Sequence, residues 1–361
     1  MASVADSTER RDALVERLFL NAVGAFDLFS VYLGDRLGLY RVIADDGPLT
    51  SAELADAAGV HERYAREWLE HQAASELLDV DANGGERRFS LPEGHREALL
   101  DVSSLNYVAP LGRAVLASVR PLDALVAAFR TGEGVPYADY GEDLHEGQAA
   151  FTRPLFENLL GSEWLPAVPE LHQRLLADPA AQVADIACGQ GRSSIEMARA
   201  YPKVLVDGID SDHASIEAAR KNLEGTGVEE RVSFHERDAA DAELVGRYDL
   251  VTIFEALHDM SYPVEVLRAA RGLLGDGGMM LIGDERTQEE FTAPASEVER
   301  LYYGFSVFHC LPVGMVGEGA AGTGTVMRPE TVKRYADEAG FSSCEVLPIE
   351  HDFWRFYLLK P

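Results

Sequence analysis

Residues Val183 to Ser194 read Val-Ala-Asp-Ile-Ala-Cys-Gly-Gln-Gly-Arg-Ser-Ser. An apolar run ends in a tight turn at Gly189 and Gly191, and a helical pattern, Ser193 to Ala200, follows. Glycine lets a backbone come close to a bound molecule. A helix start just beyond offers N–H groups that no intrahelical carbonyl uses. Nineteen residues past Gly191 lies Asp210, at the end of a second apolar run, Val204 to Ile209. An acidic residue about twenty positions after such a turn is placed to bind ribose hydroxyls. The stretch therefore predicts a nucleoside-binding loop at the head of an α/β sheet.

The Gly-x-Gly-x-x-Gly form that a dinucleotide requires is absent, because its third glycine would fall on Ser194. The order is instead Asp185-x-Ala187-x-Gly189-x-Gly191, with an acid inside the strand before the turn. Asp185 would repel a pyrophosphate and attract a cationic ligand end. This arrangement resembles motif I of the class I S-adenosylmethionine (SAM) methyltransferases, Asp/Glu-x-Gly-x-Gly-x-Gly. Ala187 departs from it at the first glycine, a mild change if that residue has a negative φ.

The resemblance continues in order along the chain. Asp210, with Ser211 beside it, matches the family's ribose-binding acid. Asp238, with Ala239 next to it, matches the adenine-binding position. Tyr248 to Glu255 matches motif IV, the strand end beside the methyl donor. The resemblance implies an α/β fold with a Rossmann-like seven-stranded sheet whose last strand is antiparallel. It implies SAM as cofactor and S-adenosyl-L-homocysteine as product. Asp185 and Glu255 are expected near the cationic amino-acid end of the donor.

Motif IV runs into Ala256-Leu257-His258-Asp259-Met260-Ser261-Tyr262-Pro263. A His just past a central strand end sits beside the cofactor crevice, where a neutral imidazole can accept a proton. The segment resembles the Leu-His-Asp-Trp element of small-molecule O-methyltransferases, in which the His is the base. His258 is the candidate base on that resemblance, and a residue that only packs or caps is the competing reading. Met260 replaces the usual Trp, which leaves the substrate class open. Asp259 is expected to cap the next helix, Pro263 to Leu274. Asp284 and Glu285 end the following strand and could orient His258, or simply be a solvated strand end.

At 361 residues the chain is long enough for two domains. Its three cysteines, Cys188, Cys310 and Cys344, lack metal-ligand spacing and read as reduced thiols of a cytoplasmic protein. No apolar run is long enough to span a bilayer, and the first residues lack a signal-peptide core. The formal charge of −29 repels nucleic acid and anionic membrane.

The first third reads as helix from Arg11 to Tyr40, a short helix ending at Gly59, a longer one from His61 to Leu78, and a hairpin around Asn83-Gly84. Thr50 and Glu53 make a capping box. The order resembles a winged helix. Residues 51–100 hold eleven acids against five Arg or Lys, the wrong balance for a DNA reader. A structural winged helix is therefore expected, as in many small-molecule O-methyltransferases, where it serves homodimerisation.

These readings divide the chain into a helical winged-helix dimerisation domain (1–100), a helical connector contributing to the substrate pocket (101–179), and a SAM-binding domain (180–361). The last carries a lid insertion at about 291–327, with aromatics for a pocket wall and a glycine-rich stretch, Gly314 to Gly324, expected to move. Phe151, Phe156 and Trp164 could roof the cavity or pack in the core. The expected function is methylation of a small apolar or aromatic acceptor on oxygen. An N- or C-methyltransferase acting by proximity, or a non-methylating SAM-binding protein, would share the scaffold. His309 and Cys310 are neighbours in sequence, which does not by itself bring their side chains together.

Overall fold

The computed structural model of the chain describes residues 4–238 and 248–361. Ala239, expected at the adenine position, lies outside the described residues. The chain forms two compact units, Met1–Leu116 and Ala117–Pro361.

In the first unit a long helix, Val4–Arg36, precedes the helix Leu39–Asp46. The expected single stretch breaks at Gly38, whose φ of +66° belongs to the left-handed region open to glycine. The second helix buries Leu39, Tyr40 and Ile43. The long helix leaves Leu14, Leu18, Val23 and Phe26 exposed. The capping box is present: Glu53 N–H donates to Thr50 Oγ1 (3.3 Å) and Thr50 N–H to Glu53 Oε2 (2.8 Å). The helix behind it, Ser51–Ala58, stops at Gly59. The next helix, Glu62–Ala74, ends before the expected Leu78, because the chain turns at Glu76 with φ +59°. The hairpin pairs β1 (Asp79–Asp81) with β2 (Arg88–Ser90). Its left-handed residue is Gly85, so the turn is a longer loop centred later than Asn83-Gly84.

The second unit is built on seven strands: β3 (Gln182–Ile186), β4 (Leu205–Asp210), β5 (Val232–Glu236), β6 (Tyr248–Phe254), β7 (Leu274–Glu285), β8 (Ser343–Val346) and β9 (Trp354–Lys360). Their order is β5-β4-β3-β6-β7-β9-β8. Strands β3 to β7 pair in parallel and β9 runs antiparallel to both its neighbours, as expected. Alternation splits the strands between two cores: Val183 joins the layer with Trp164 and Phe254, and Ala184 and Ile186 join the layer with Val266 and Tyr335. Phe156 and Trp164 are buried against Phe254 and Trp354, so they pack in the core.

The strand order reverses between β3 and β6, opening a crevice at their carboxyl ends where ligands of such sheets bind. The N-terminal side of that junction is clamped. Arg174 donates from Nε and Nη2 to both carboxylate oxygens of Asp249 (2.6 and 2.9 Å), and Gln182 N–H donates to the same group (2.9 Å).

Candidate active site

The loop after β3 is set by three left-handed positions at alternate residues: Ala187 (φ +54°), Gly189 (+52°) and Gly191 (+75°). The condition that made Ala187 a mild replacement fails, since its φ is positive and an L-residue there is strained. Gly191 starts the helix Arg192–Ala200. A Cβ on it would meet the buried Phe234 ring, with Cε1 at 2.7 Å, and Ala219 Cβ at 3.0 Å. Above Gly189 the space is open for 4 Å.

Two acids hold this loop. Asp185 is buried and accepts three hydroxyl hydrogen bonds, from Ser193 (2.6 Å), Ser194 (2.6 Å) and Thr252 (2.7 Å). Burial still raises its proton affinity, against those bonds. Asp210, at the end of β4, accepts from Gly189 N–H (2.8 Å) and Asp212 N–H (2.9 Å). Burial, with the Asp212 and Asp185 charges, holds it above the usual carboxylate range. Ser211 and Asp238 are exposed beyond the ends of β4 and β5. The sequence motifs assign no role to Ser193, Ser194 and Thr252. Small hydroxyl residues at the helix start and mid-strand were the available signal.

The connector adds residues that no motif announced. Tyr137 stacks on His145 (4.4 Å between centroids), and His145 Nδ1 lies 3.6 Å from Asp212. Tyr137 feels the Asp210 and Asp259 charges after its own burial, so it borders the same crevice.

Past β6 the chain turns at Glu255, φ +53°, into a short turn holding His258. The structure joins His258 to both acids at the end of β7. His258 Nδ1 lies 2.9 Å from Asp284 Oδ1 and 2.9 Å from Glu285 Oε2, and all three side chains are buried. The hydrogen bond goes to Asp284. Asp284 Oδ2, Glu285 Oε2 and Glu255 Oε2 are buried without a hydrogen-bond partner. Burial works against a charged imidazole, but the Glu285 and Asp284 charges outweigh it and raise His258 well above its ordinary value. Burial pushes Glu255 up to about 7 and Asp259 up to about 6. Asp259 does not cap the next helix, whose start has no side-chain cap. The acid is drawn into the crevice instead.

The insertion packs as the helix Glu297–Phe305, a widened π-type turn Ser306–Cys310, and the short helix Leu311–Gly314. Tyr140 OH donates to Phe308 O (2.8 Å), tying connector to insertion. His309 is buried, edge-on to Tyr140 (4.7 Å). Its Nε2 has no partner. Its Nδ1 does reach Cys310 Sγ (3.4 Å). Burial first, then the His258 and His145 charges, lower His309 to about 3, so it is a poor base for the thiol. The glycine-rich stretch is pinned by Ala321 N–H to Ser261 O (2.8 Å) and Gly322 N–H to Gly314 O (3.0 Å).

Among known proteins, residues 177–340 match the family model described as a methyltransferase domain, and residues 26–101 match the Rv2258c-like winged HTH domain. The 27-O-demethylrifamycin SV methyltransferase of Amycolatopsis mediterranei is 33% identical over 155 residues, 40% of this chain and 52% of that protein. The mitochondrial ubiquinone biosynthesis O-methyltransferase of Candida albicans is 29% identical over 141 residues, 39% of this chain and 42% of that protein. The chain thus spans about half the length of the curated relatives it matches. Among solved structures, the mitomycin 7-O-methyltransferase superposes with a TM-score of 0.72 at 20% identity, over 98% of this chain and 100% of that one. Human N-acetylserotonin methyltransferase, solved with SAM, gives 0.69 at 20% identity, over 100% of this chain and 99% of that one. At that identity the likeness shows the fold. Loop, sheet order and domain matches agree: residues 177–340 match a methyltransferase domain, residues 26–101 ahead of it match a winged HTH domain, and the fold is that of the methyltransferase structures above.

Proposed function

We propose that the protein transfers a methyl group from SAM to an oxygen of a small, largely apolar or aromatic molecule. The observation that carries this reading is the buried His258–Asp284 pair at the carboxyl edge of the sheet. The residues present fit the cofactor: the loop leaves open space over Gly189, and Asp210 stands at the next strand end. In this reading Asp210, with Ser211, holds the ribose, Asp238 lies toward the adenine, and Glu255 toward the cationic amino-acid end. Asp185 acts through the loop that its three hydroxyl bonds fix.

Bound SAM supplies a sulfonium that makes its methyl group electrophilic. The chain's part is to align the acceptor and exclude water. Asp284 orients the imidazole through Nδ1, leaving Nε2 for the acceptor's proton. A cationic ligand beside this cluster lowers the proton affinity of His258. The rings of Tyr137, Tyr140 and His309 support an apolar acceptor.

The exposed Leu18, Phe19 and Phe26 on the helix Val4–Arg36 support homodimerisation through the first unit. DNA reading is disfavoured, because Arg63 and Arg66 on the helix Glu62–Ala74 are engaged by Glu67 and Glu62. Among the described residues no helix is long and apolar enough to cross a membrane, and the three thiols are free. Free thiols support a cytoplasmic setting.

Calorimetry with SAM and with S-adenosylhomocysteine tests the reading. Binding of neither would remove it. Near-normal turnover by His258→Ala would reassign the acceptor to nitrogen or carbon.

A further inference from the structure

We infer that His258, Asp284 and Glu285 form a binding site for one divalent metal cation, of the Mn²⁺ or Zn²⁺ type. The inference does not depend on methyl transfer, and it replaces the base role given to His258: an ion on Nδ1 takes the place of the hydrogen bond to Asp284 and leaves the ring proton on Nε2. It starts from geometry. One imidazole nitrogen and two carboxylate oxygens lie within 4.8 Å of one another, on side chains that are all buried. From Nδ1 the two oxygens are each 2.9 Å away. Neighbouring ligands of an octahedral ion with bonds of about 2.1 Å lie about 3.0 Å apart. Nδ1 is therefore already spaced from each oxygen as an adjacent ligand of such an ion, and the two oxygens lie within 4.8 Å of each other.

The second observation is what these groups lack. Asp284 Oδ2 and Glu285 Oε2 are buried with no hydrogen-bond donor, and so is Glu255 Oε2 beside them. A buried carboxylate oxygen without a partner is costly, and native structures rarely leave one. Nδ1 carries a single hydrogen, which goes to Asp284, so it cannot also serve Glu285. A cation satisfies both carboxylates and the imidazole at once. The mixed nitrogen and oxygen set suits Mn²⁺, Fe²⁺ or Zn²⁺ better than Ca²⁺. Three protein ligands leave coordination positions open, as catalytic sites do and structural ones do not. An acceptor oxygen taken up there would be acidified by the ion. The rival occupant is protons shared among the carboxyl groups.

The test uses the full chain, untagged and stripped with EDTA, without SAM and in high salt to suppress binding to its acidic surface. Mn²⁺ is titrated by electron paramagnetic resonance and Zn²⁺ by calorimetry. The expected result is one ion per chain, with affinity lowered more than about tenfold in Asp284→Asn and in Glu285→Gln. Spin-echo spectra of the bound Mn²⁺ should show modulation from an imidazole nitrogen, a readout that needs no variant. Circular dichroism checks that the variants fold. No stoichiometric binding, binding that survives both substitutions, or bound Mn²⁺ without nitrogen modulation would overturn the site in favour of shared protons. Metal binding without S-adenosylhomocysteine binding would leave this site standing and remove the methyltransferase reading. The reverse result would do the opposite.

Discussion

The three left-handed positions of the loop after β3 should respond to substitution in three different ways. An L-residue in that region is strained by roughly 1–2 kcal/mol, while glycine loses about 0.5–1 kcal/mol more chain entropy than alanine on folding. Gly189→Ala therefore carries only the difference, a destabilisation of about 1 kcal/mol, because nothing lies within 4 Å of the new Cβ. Gly191→Ala carries that difference and an overlap with Phe234 and Ala219. Phe234 is buried in the core and cannot swing aside, so overpacking adds about 1–3 kcal/mol. The sum is about 3 kcal/mol. Ala187→Gly reverses the sign and should stabilise by about 0.5–1 kcal/mol, as backbone strain is released. Urea unfolding followed by tryptophan fluorescence measures all three. Calorimetry with S-adenosylhomocysteine then separates stability from binding. Gly189→Ala should lose most of its affinity, because its methyl group projects into the open space that the ligand would use. Equal destabilisation at Gly189 and Gly191, or full affinity in Gly189→Ala, would refute the account of the loop.

Three further outcomes are expected. His309 is neutral in the fold, with its pKa lowered to about 3, whereas the unfolded chain holds it near 6.5. Its neutral form thus supports the fold fully above pH 6.5. That support is lost as pH falls toward 3, reaching about 2 kcal/mol at pH 5. Urea midpoints at pH 5 and 7.5 should converge in His309→Gln, and an unchanged pH slope would contradict the burial argument. Asp249→Ala breaks two hydrogen bonds from Arg174 and one from Gln182 N–H, so unfolding should become easier by about 2–3 kcal/mol. A change below about 0.5 kcal/mol would show the clamp to be idle. Leu18→Glu with Phe19→Glu, on the exposed helix face, should convert a dimer to a monomer in sedimentation, and a chain already monomeric would exclude the dimer reading.

Much of the fold was legible because its signals are local. The turn at Gly189 and Gly191, the capping box at Thr50 and the acids at strand ends are short-range patterns, and each governs backbone within a few residues. The break at Gly38 is not legible locally, because one glycine in a helical run is often tolerated. The positive φ of Ala187 is not written in its neighbours, because φ follows from how the loop closes on Asp210, whose carboxylate grips Gly189 N–H. The position of Asp259 in the sequence points to a helix start, but the fold draws it into the crevice.

The sequence by itself determined the class of fold and the ligand-binding edge of the sheet, since strand patterning and turn chemistry are written in neighbouring residues. Only the tertiary structure decided which side chains meet there. His258 and Asp284 are 26 positions apart. His145 and Asp212 come from separate elements, and so do Asp185 and Thr252. Such pairings depend on parallel register and on burial, which alone removes the water that would otherwise satisfy each group.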